Sequence, residues 1–415
     1  MNFLQLLMKL SSVSVLTSII TLVCSLILGR IMSPEHFGTY SFYQSILMIM
    51  LNITSFGSSL SLSIYMFRVN PKKANKIVLN CILFIVPIIS LIYLTIYGVF
   101  STFIGSLDYT FIFVIASCSL MSICLLAIDY LRCKQDIKRF SILIIGYTVA
   151  SSVFAVIGYL IWEDVWAVYF SILLGAILPT VMAIFQFGKA YDLKLGGYSK
   201  IFVFKWSLKY GLPVVLQTTI MSFLVLGDRI LLGSLAEASV LANYSVAALI
   251  ASTALFFVNN FASAWGGYLF KYLSSVANDE MVSSYKKNKK KVLLAIPIGL
   301  IVFVFQYLLY LLFFSEKYPG LFLPILILTL GYSFYGISKF FMNYLNFFGK
   351  NYFIFYASFI CSLVMVLLTV FVFEAEVLTM SLLVAFSFIT HSLFMYTITE
   401  RLMQSKVIKE NISYV

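Results

Sequence analysis

The stretch LGRIMSPEHFGTYSFYQSI, residues 28–46, interrupts an apolar N-terminal region with charge, a proline and two glycines. A stretch of the same design returns as LGSLAEASVLANYSVAALI, residues 232–250. At a constant offset of 204, Leu28, Gly29, Tyr40, Ser41 and Ile46 meet Leu232, Gly233, Tyr244, Ser245 and Ile250. Ile31, Phe37 and Phe42 meet the apolar residues Leu235, Leu241 and Val246. The offset is close to half the 415 residues of the chain and needs no gap. The chain thus reads as two copies of one unit, with each copy of this stretch linking the first two apolar segments of its half.

Composition says what those segments are. The chain is 62% hydrophobic and 11% charged, where soluble domains carry about 25% charge. Its apolar runs approach the roughly 20 residues a helix needs to cross the hydrocarbon core. The expectation is an all-α polytopic membrane protein. Twelve spans are read at about 12–31, 40–66, 77–104, 110–131, 141–161, 166–187, 208–233, 239–264, 292–314, 320–347, 351–373 and 377–398. The first run lacks a small-residue cleavage site and more spans follow it, so it reads as a span rather than a signal peptide. Six spans per half place both copies in the membrane the same way up, as a parallel repeat. The expected halves are 1–195 and 196–415, and Pro34 and Gly38 are expected to break the helix at the first link.

The net charge of +12 follows this topology. Most Lys and Arg fall in alternate loops and at the termini, as in RVNPKKANK (68–76), RCKQDIKR (132–139) and YKKNKKK (285–291). The opposite loops are short and hold Asp108, Glu163, Asp164, Glu374 and Glu376. Basic loops stay cytoplasmic, so both termini are expected there. The charge therefore argues against nucleic acid and for contact with anionic membrane lipid, above all at YKKNKKK. The longest loop is expected between the eighth and ninth spans. Six scattered cysteines and two histidines, His36 and His391, offer no metal cluster, and no nucleotide-binding or hydrolytic motif appears, so no cofactor, metal or catalytic residue is expected.

Polar residues inside the spans mark candidate sites. Ser14, Ser18, Thr21 and Ser25 share one helical face. Adding the repeat offset gives Thr218, Ser222, Val225 and Arg229. Small hydroxyls on such a face serve close helix packing as well as a polar cavity. An intramembrane charge needs a partner, water or an escape to the interface, so Arg229 is either a site residue or a snorkelling one. Asp228 lies about 100° round the helix from it. It has three readings: a structural partner for a cation, a cap on a polar pocket, or a proton carrier. Tyr332, Tyr335, Gly336, Lys339, Asn343 and Asn346 form a long stripe in the tenth span, read as a wall of a wet cavity, unless Lys339 reaches for the surface. Ser252, Asn259 and Ser263 add a polar face to the eighth span, and His391 with Ser387 sits in the last. Pro87 and Pro297, in equivalent spans of the two halves, suggest kinks.

LGRIMSPEHFGTYSF (28–42) resembles the first-loop signature of bacterial polysaccharide biosynthesis membrane proteins, the Wzx-type O-antigen flippases of the multidrug/oligosaccharidyl-lipid/polysaccharide (MOP) exporter superfamily. Arg30, Pro34, Phe37, Gly38, Tyr40 and Ser41 fill that signature. SFGSSLSLSIYMFR (55–68), ending in Arg68, and DRILLGSLAEASVLANYSVAALI (228–250) are similar to two further family segments. The second copy departs from the pattern, with Ala242 where Gly is usual and no proline opening its loop.

The resemblance implies two six-helix bundles with a MATE-like fold in the bacterial inner membrane. It implies no enzyme but a transporter, moving an undecaprenyl-diphosphate-linked oligosaccharide such as an O-antigen repeat unit across the bilayer by alternating access. Its partners would be that lipid-linked substrate, membrane lipids, and the polysaccharide polymerase and chain-length proteins. On this reading Arg30, Arg229 and Lys339 attract the diphosphate, while Thr218, Ser222, Asn259, Tyr335 and Asn343 line a cavity between the bundles. Asp228 is the candidate for ion coupling. A cation-coupled drug exporter of the same fold is the alternative, with a membrane-embedded polymerase or ligase behind it; the short outward loops disfavour the enzyme.

Overall fold

The computed structural model describes residues 3–55, 84–104, 108–134, 136–189, 212–273, 278–372 and 376–404. Among them the protein is a set of helices with no strand. In chain order these are α1 (Phe3–Ile31), α2 (Pro34–Thr54), α3 (Val86–Ile104), α4 (Tyr109–Cys133), α5 (Ile137–Trp162), α6 (Val165–Lys189) and α7 (Leu212–Leu235). There follow α8 (Ala238–Leu273), α9 (Asn278–Val292), α10 (Ala295–Phe313), α11 (Phe322–Phe347), α12 (Asn351–Val372) and α13 (Val377–Gln404). Among the described residues, 10 helical segments are long and apolar enough to cross a membrane. Val86–Val99 forms a shorter apolar helix. This is a multi-pass membrane protein. Parts of the second and third expected spans, and the segments 56–68 and 68–76, lie outside the described residues.

The chain forms two compact units, Met1–Ser222 and Phe223–Val415. In the first, α6 packs on α4 and α5, α1 on α5, and α2 and α3 on α4. In the second, α11 is central and packs on α8, α10 and α13, with α12 against α13. The outward faces are apolar: on α10, Ile301 is 71% and Leu312 70% exposed. Such faces suit acyl chains, not water.

The two copies of the opening stretch have the same backbone. In the first, α1 and α2 are joined by residues 32–33; in the second, α7 and α8 are joined by 236–237. Met32 N–H donates to the Leu28 carbonyl at 2.9 Å, and Ala236 N–H to the Leu232 carbonyl at 2.8 Å. Phe37 N–H donates to the Ser33 carbonyl at 2.9 Å, and Leu241 N–H to the Glu237 carbonyl at 3.1 Å. Every one of these donors and acceptors is displaced by the repeat offset.

Two expectations are corrected here. Gly38 does not break a helix; the break falls at residues 32–33, directly before Pro34. Pro34 is the first residue of α2, where a helix needs no N–H and the proline φ is already helical. Ser33 caps that end, its Oγ accepting from His36 N–H at 3.2 Å. Gly38 lies buried inside α2. The long loop expected after the eighth span is also largely helical. α8 runs for 36 residues, about 54 Å at 1.5 Å per residue, and α9 fills most of the remainder. Pro297 sits three residues into α10, directly after the turn at residues 293–294 that separates α9 from α10, and Pro87 is the second residue of α3.

α9 reads as a lysine-rich loop but has a fourfold periodicity on one face. Met281 and Tyr285 are buried, and Lys289 follows one turn later. Tyr285 Oη donates to Glu400 Oε2 at 2.9 Å, and Lys289 Nζ donates to both Glu400 oxygens at 2.9 Å. Tyr285 also meets Tyr344 edge-on at 5.2 Å. One carboxylate of α13 thus pins the inner face of α9, and Lys286, Lys287, Lys290 and Lys291 are left exposed.

Candidate functional site

The C-terminal unit carries a buried charged cluster where α7 meets α8. Asp228 is fully buried. Its Oδ2 accepts from the Tyr244 hydroxyl, and its Oδ1 accepts from the backbone N–H of Arg229 at 2.8 Å. Asp228 and Arg229, about 100° apart around the helix, form no ion pair with each other among the described residues. Arg229 is half-buried, and its enclosed Nε has no hydrogen-bond partner among the described residues. Tyr332, from α11, lies within electrostatic reach of both charges. Enclosed guanidinium donors without acceptors are costly in a low-dielectric setting, and they are the groups an anionic ligand satisfies.

The stripe on α11 divides between two neighbours. Tyr332 and Tyr335 face α13, with ring centroids 5.5 and 5.1 Å from Phe388, and Tyr335 is 6.3 Å from His391. Lys339 is half-buried, with Nζ 5.1 Å from the Tyr335 ring centroid, a cation–π distance. Gly336 and Asn343 face α8. A Cβ on Gly336 would come within 2.8 Å of Val258, and Asn343 Nδ2 donates to the Ala262 carbonyl at 3.1 Å. His391 is buried, and its Nε2 pairs with Ser358 Oγ at 3.0 Å.

The remaining expected site residues are placed as follows. Arg30 is exposed in the last turn of α1. Thr218 turns its hydroxyl back onto the carbonyls of Val214 and Val215, at 2.9 and 3.2 Å. Ser222 Oγ accepts from Asn52 Nδ2 at 2.8 Å, tying α7 to α2. Asn259 is exposed on α8. Arg30, Thr218 and Ser222 belong to the N-terminal unit, and Asp228, Arg229, Asn259, Tyr335, Lys339 and Asn343 to the C-terminal one. On α1, Ser18 Oγ donates to the Ser14 carbonyl and Thr21 Oγ1 to the Thr17 carbonyl, at 2.9 and 3.1 Å.

Two polar elements escape the sequence reading. Tyr244 is one: the repeat pairs it with Tyr40 and does not mark it as the donor to Asp228. Gln306 is the other. It is fully buried on α10, where its Nε2 donates to the Ala251 carbonyl (3.0 Å) and to Thr253 Oγ1 (2.8 Å), and its Oε1 accepts from Thr329 (2.6 Å). A lone amide in an apolar run was the signal for it, since a buried amide has to find partners on adjacent helices.

The family comparison decides the affiliation. The family described as polysaccharide biosynthesis protein matches residues 4–272. The chain belongs to this family. Its fold is that of the MOP superfamily. It is similar to a multidrug resistance MATE family transporter of that superfamily in an inward-facing conformation, with TM-score 0.73 and 12% identity over 95% of this chain and 96% of that one. It is likewise similar to the lipid II flippase MurJ in an inward closed conformation, with TM-score 0.71 and 15% identity over 94% of this chain and 87% of that one. A MOP superfamily transporter from Pyrococcus furiosus gives TM-score 0.69 at 13% identity, over 98% and 96% of the two chains. At such identities these likenesses establish the fold. Comparison with curated protein sequences gives no match.

Proposed function

We propose that this member of the family is a flippase. It carries an undecaprenyl-diphosphate-linked oligosaccharide, such as an O-antigen repeat unit, across the bacterial inner membrane by alternating access, with both termini in the cytoplasm. The observation that carries the reading is Arg229: an enclosed guanidinium inside a membrane span, beside but not ion-paired with Asp228, with a donor left over. A diphosphate supplies the acceptors and the negative charge that this donor lacks. Lys339, held over Tyr335, offers a second cation, and Arg30 a third at the far end of α1. Tyr335, Asn259 and Asn343, with Thr218 and Ser222, supply hydroxyls and amides suited to sugar. Asp228 is the group for ion coupling. MurJ, a lipid II flippase, moves a lipid-linked cargo, which is in keeping with this reading.

A cation-coupled exporter of amphipathic drugs is the second reading, favoured by the buried Asp228 carboxylate. The experiment that separates them is complementation. The gene is deleted, and surface polysaccharide and intracellular lipid-linked repeat units are measured with the native chain, Arg229→Ala and Lys339→Ala. The flippase reading expects lost surface polysaccharide and accumulated lipid-linked units in the deletion strain, restored by the native chain and not by Arg229→Ala. Undiminished polysaccharide in the deletion strain, together with new sensitivity to cationic drugs, would replace it with the exporter.

A further inference from the structure

A second feature of the C-terminal unit lies apart from the Asp228–Arg229 cluster. α8, α10 and α11 enclose a groove of about 560 Å³, within the roughly 300–1,000 Å³ of ordinary ligand pockets. Its walls are almost wholly apolar, including Val258, Trp265 and Ile298. Two glycines keep its floor tight: Ser333 occupies the space a Cβ on Gly299 would need, and Val258 that of Gly336. Phe257 and Ile298, both 56% exposed, stand at its rim, so in a membrane-spanning chain it opens towards acyl chains. Its remaining end is polar and is made by the last turns of α9, through Asn288 and Lys291.

We infer that this groove seats an anionic phospholipid, one acyl chain lying between α8, α10 and α11 and the phosphate resting on Lys291 and Asn288. Two independent observations choose that occupant. The first is the union of an apolar trough with a cationic mouth in a chain that spans a membrane, which matches the amphiphilic plan of a lipid and not that of a soluble ligand. The second is how α9 is held. Glu400 neutralises Lys289 and pins the inner face, which fixes the helix over the groove while Lys286, Lys287, Lys290 and Lys291 stay exposed. Lysines presented at a bilayer surface select acidic over zwitterionic headgroups. The inference does not depend on what the protein transports.

Trp265 in the groove wall reports occupancy directly. The full chain is placed in phosphatidylcholine vesicles containing phosphatidylglycerol, with bromine on the acyl chains of one lipid or the other at equal mole fraction. The quenching lost on Trp265→Phe isolates the groove signal. Brominated phosphatidylglycerol is expected to be preferred over brominated phosphatidylcholine by about fivefold, the factor for one surface lysine. Lys291→Gln should abolish the preference. Lys286→Gln, on the same helix but away from the groove, should leave it in place. Equal quenching by both lipids in the native chain would overturn the site. So would an equal loss with Lys286→Gln, which would make the effect one of diffuse surface charge. Both lysines are exposed, so neither substitution threatens folding.

Discussion

The α1–α2 and α7–α8 links are two solutions to one backbone problem. Both use a two-residue connection, and both close it with hydrogen bonds at the same relative positions. Their side chains diverge. In the N-terminal unit Pro34 and Ser33 start α2, and the carbonyl of Tyr40 accepts from the Tyr169 hydroxyl at 2.8 Å. Among the described residues of the C-terminal unit neither device appears; instead Tyr244, the equivalent of Tyr40, donates to a buried carboxylate whose own equivalent is Cys24. A repeat can hold the path of the chain constant while only one copy acquires a fully buried carboxylate.

The largest expected effect tests that asymmetry. Tyr244→Phe leaves a buried carboxylate short of a donor and should cost about 1.5–3 kcal/mol, read as a lower thermal midpoint in detergent. Tyr169→Phe removes a neutral bond to a carbonyl and should cost less, about 1 kcal/mol. Equal losses would mean that Asp228 adds nothing special to the second link. Sharper still is the double variant Asp228→Leu with Tyr244→Phe. Removing both polar partners together should bring stability back to within about 1 kcal/mol of the native chain. If complementation fails in that stable variant, the carboxylate works in transport and not in holding the helices.

Ser33→Ala tests the other device. Loss of the cap should cost about 1 kcal/mol, since His36 N–H loses its acceptor. The smallest effect tests the backbone equivalence itself. Ala238 occupies in α8 the position of Pro34 in α2. Ala238→Pro should therefore be tolerated, with a gain of about 0.4–1 kcal/mol from the restricted unfolded chain. A marked fall in the thermal midpoint would show that the two turns differ after all.

Much of this architecture was legible in the sequence. Apolar runs of membrane-crossing length gave the class, and the matched residues from Leu28 to Ile46 and Leu232 to Ile250 located two equivalent turns. What spacing could not supply was direction towards neighbours. The α11 stripe is a continuous line in sequence, yet Tyr332 and Tyr335 face α13 while Gly336 and Asn343 face α8, because a central helix is packed on several sides. α9 reads as loop in the sequence for a related reason. Its lysines dominate its composition, and the face that makes it a stable element, Met281, Tyr285 and Lys289, depends on Glu400, more than a hundred residues away. Gly38 fails as a break signal because, unlike Pro34, it keeps its N–H and fits inside a helix.

The brevity of the two links has a mechanical consequence. A connection of two residues has no slack, so the end of α1 stays beside the start of α2, and the end of α7 beside the start of α8. Neither pair can slide apart lengthwise at its turn. If the protein works by alternating access as proposed, the rearrangement cannot lengthen these turns, and a cross-link across either one should leave the cycle running.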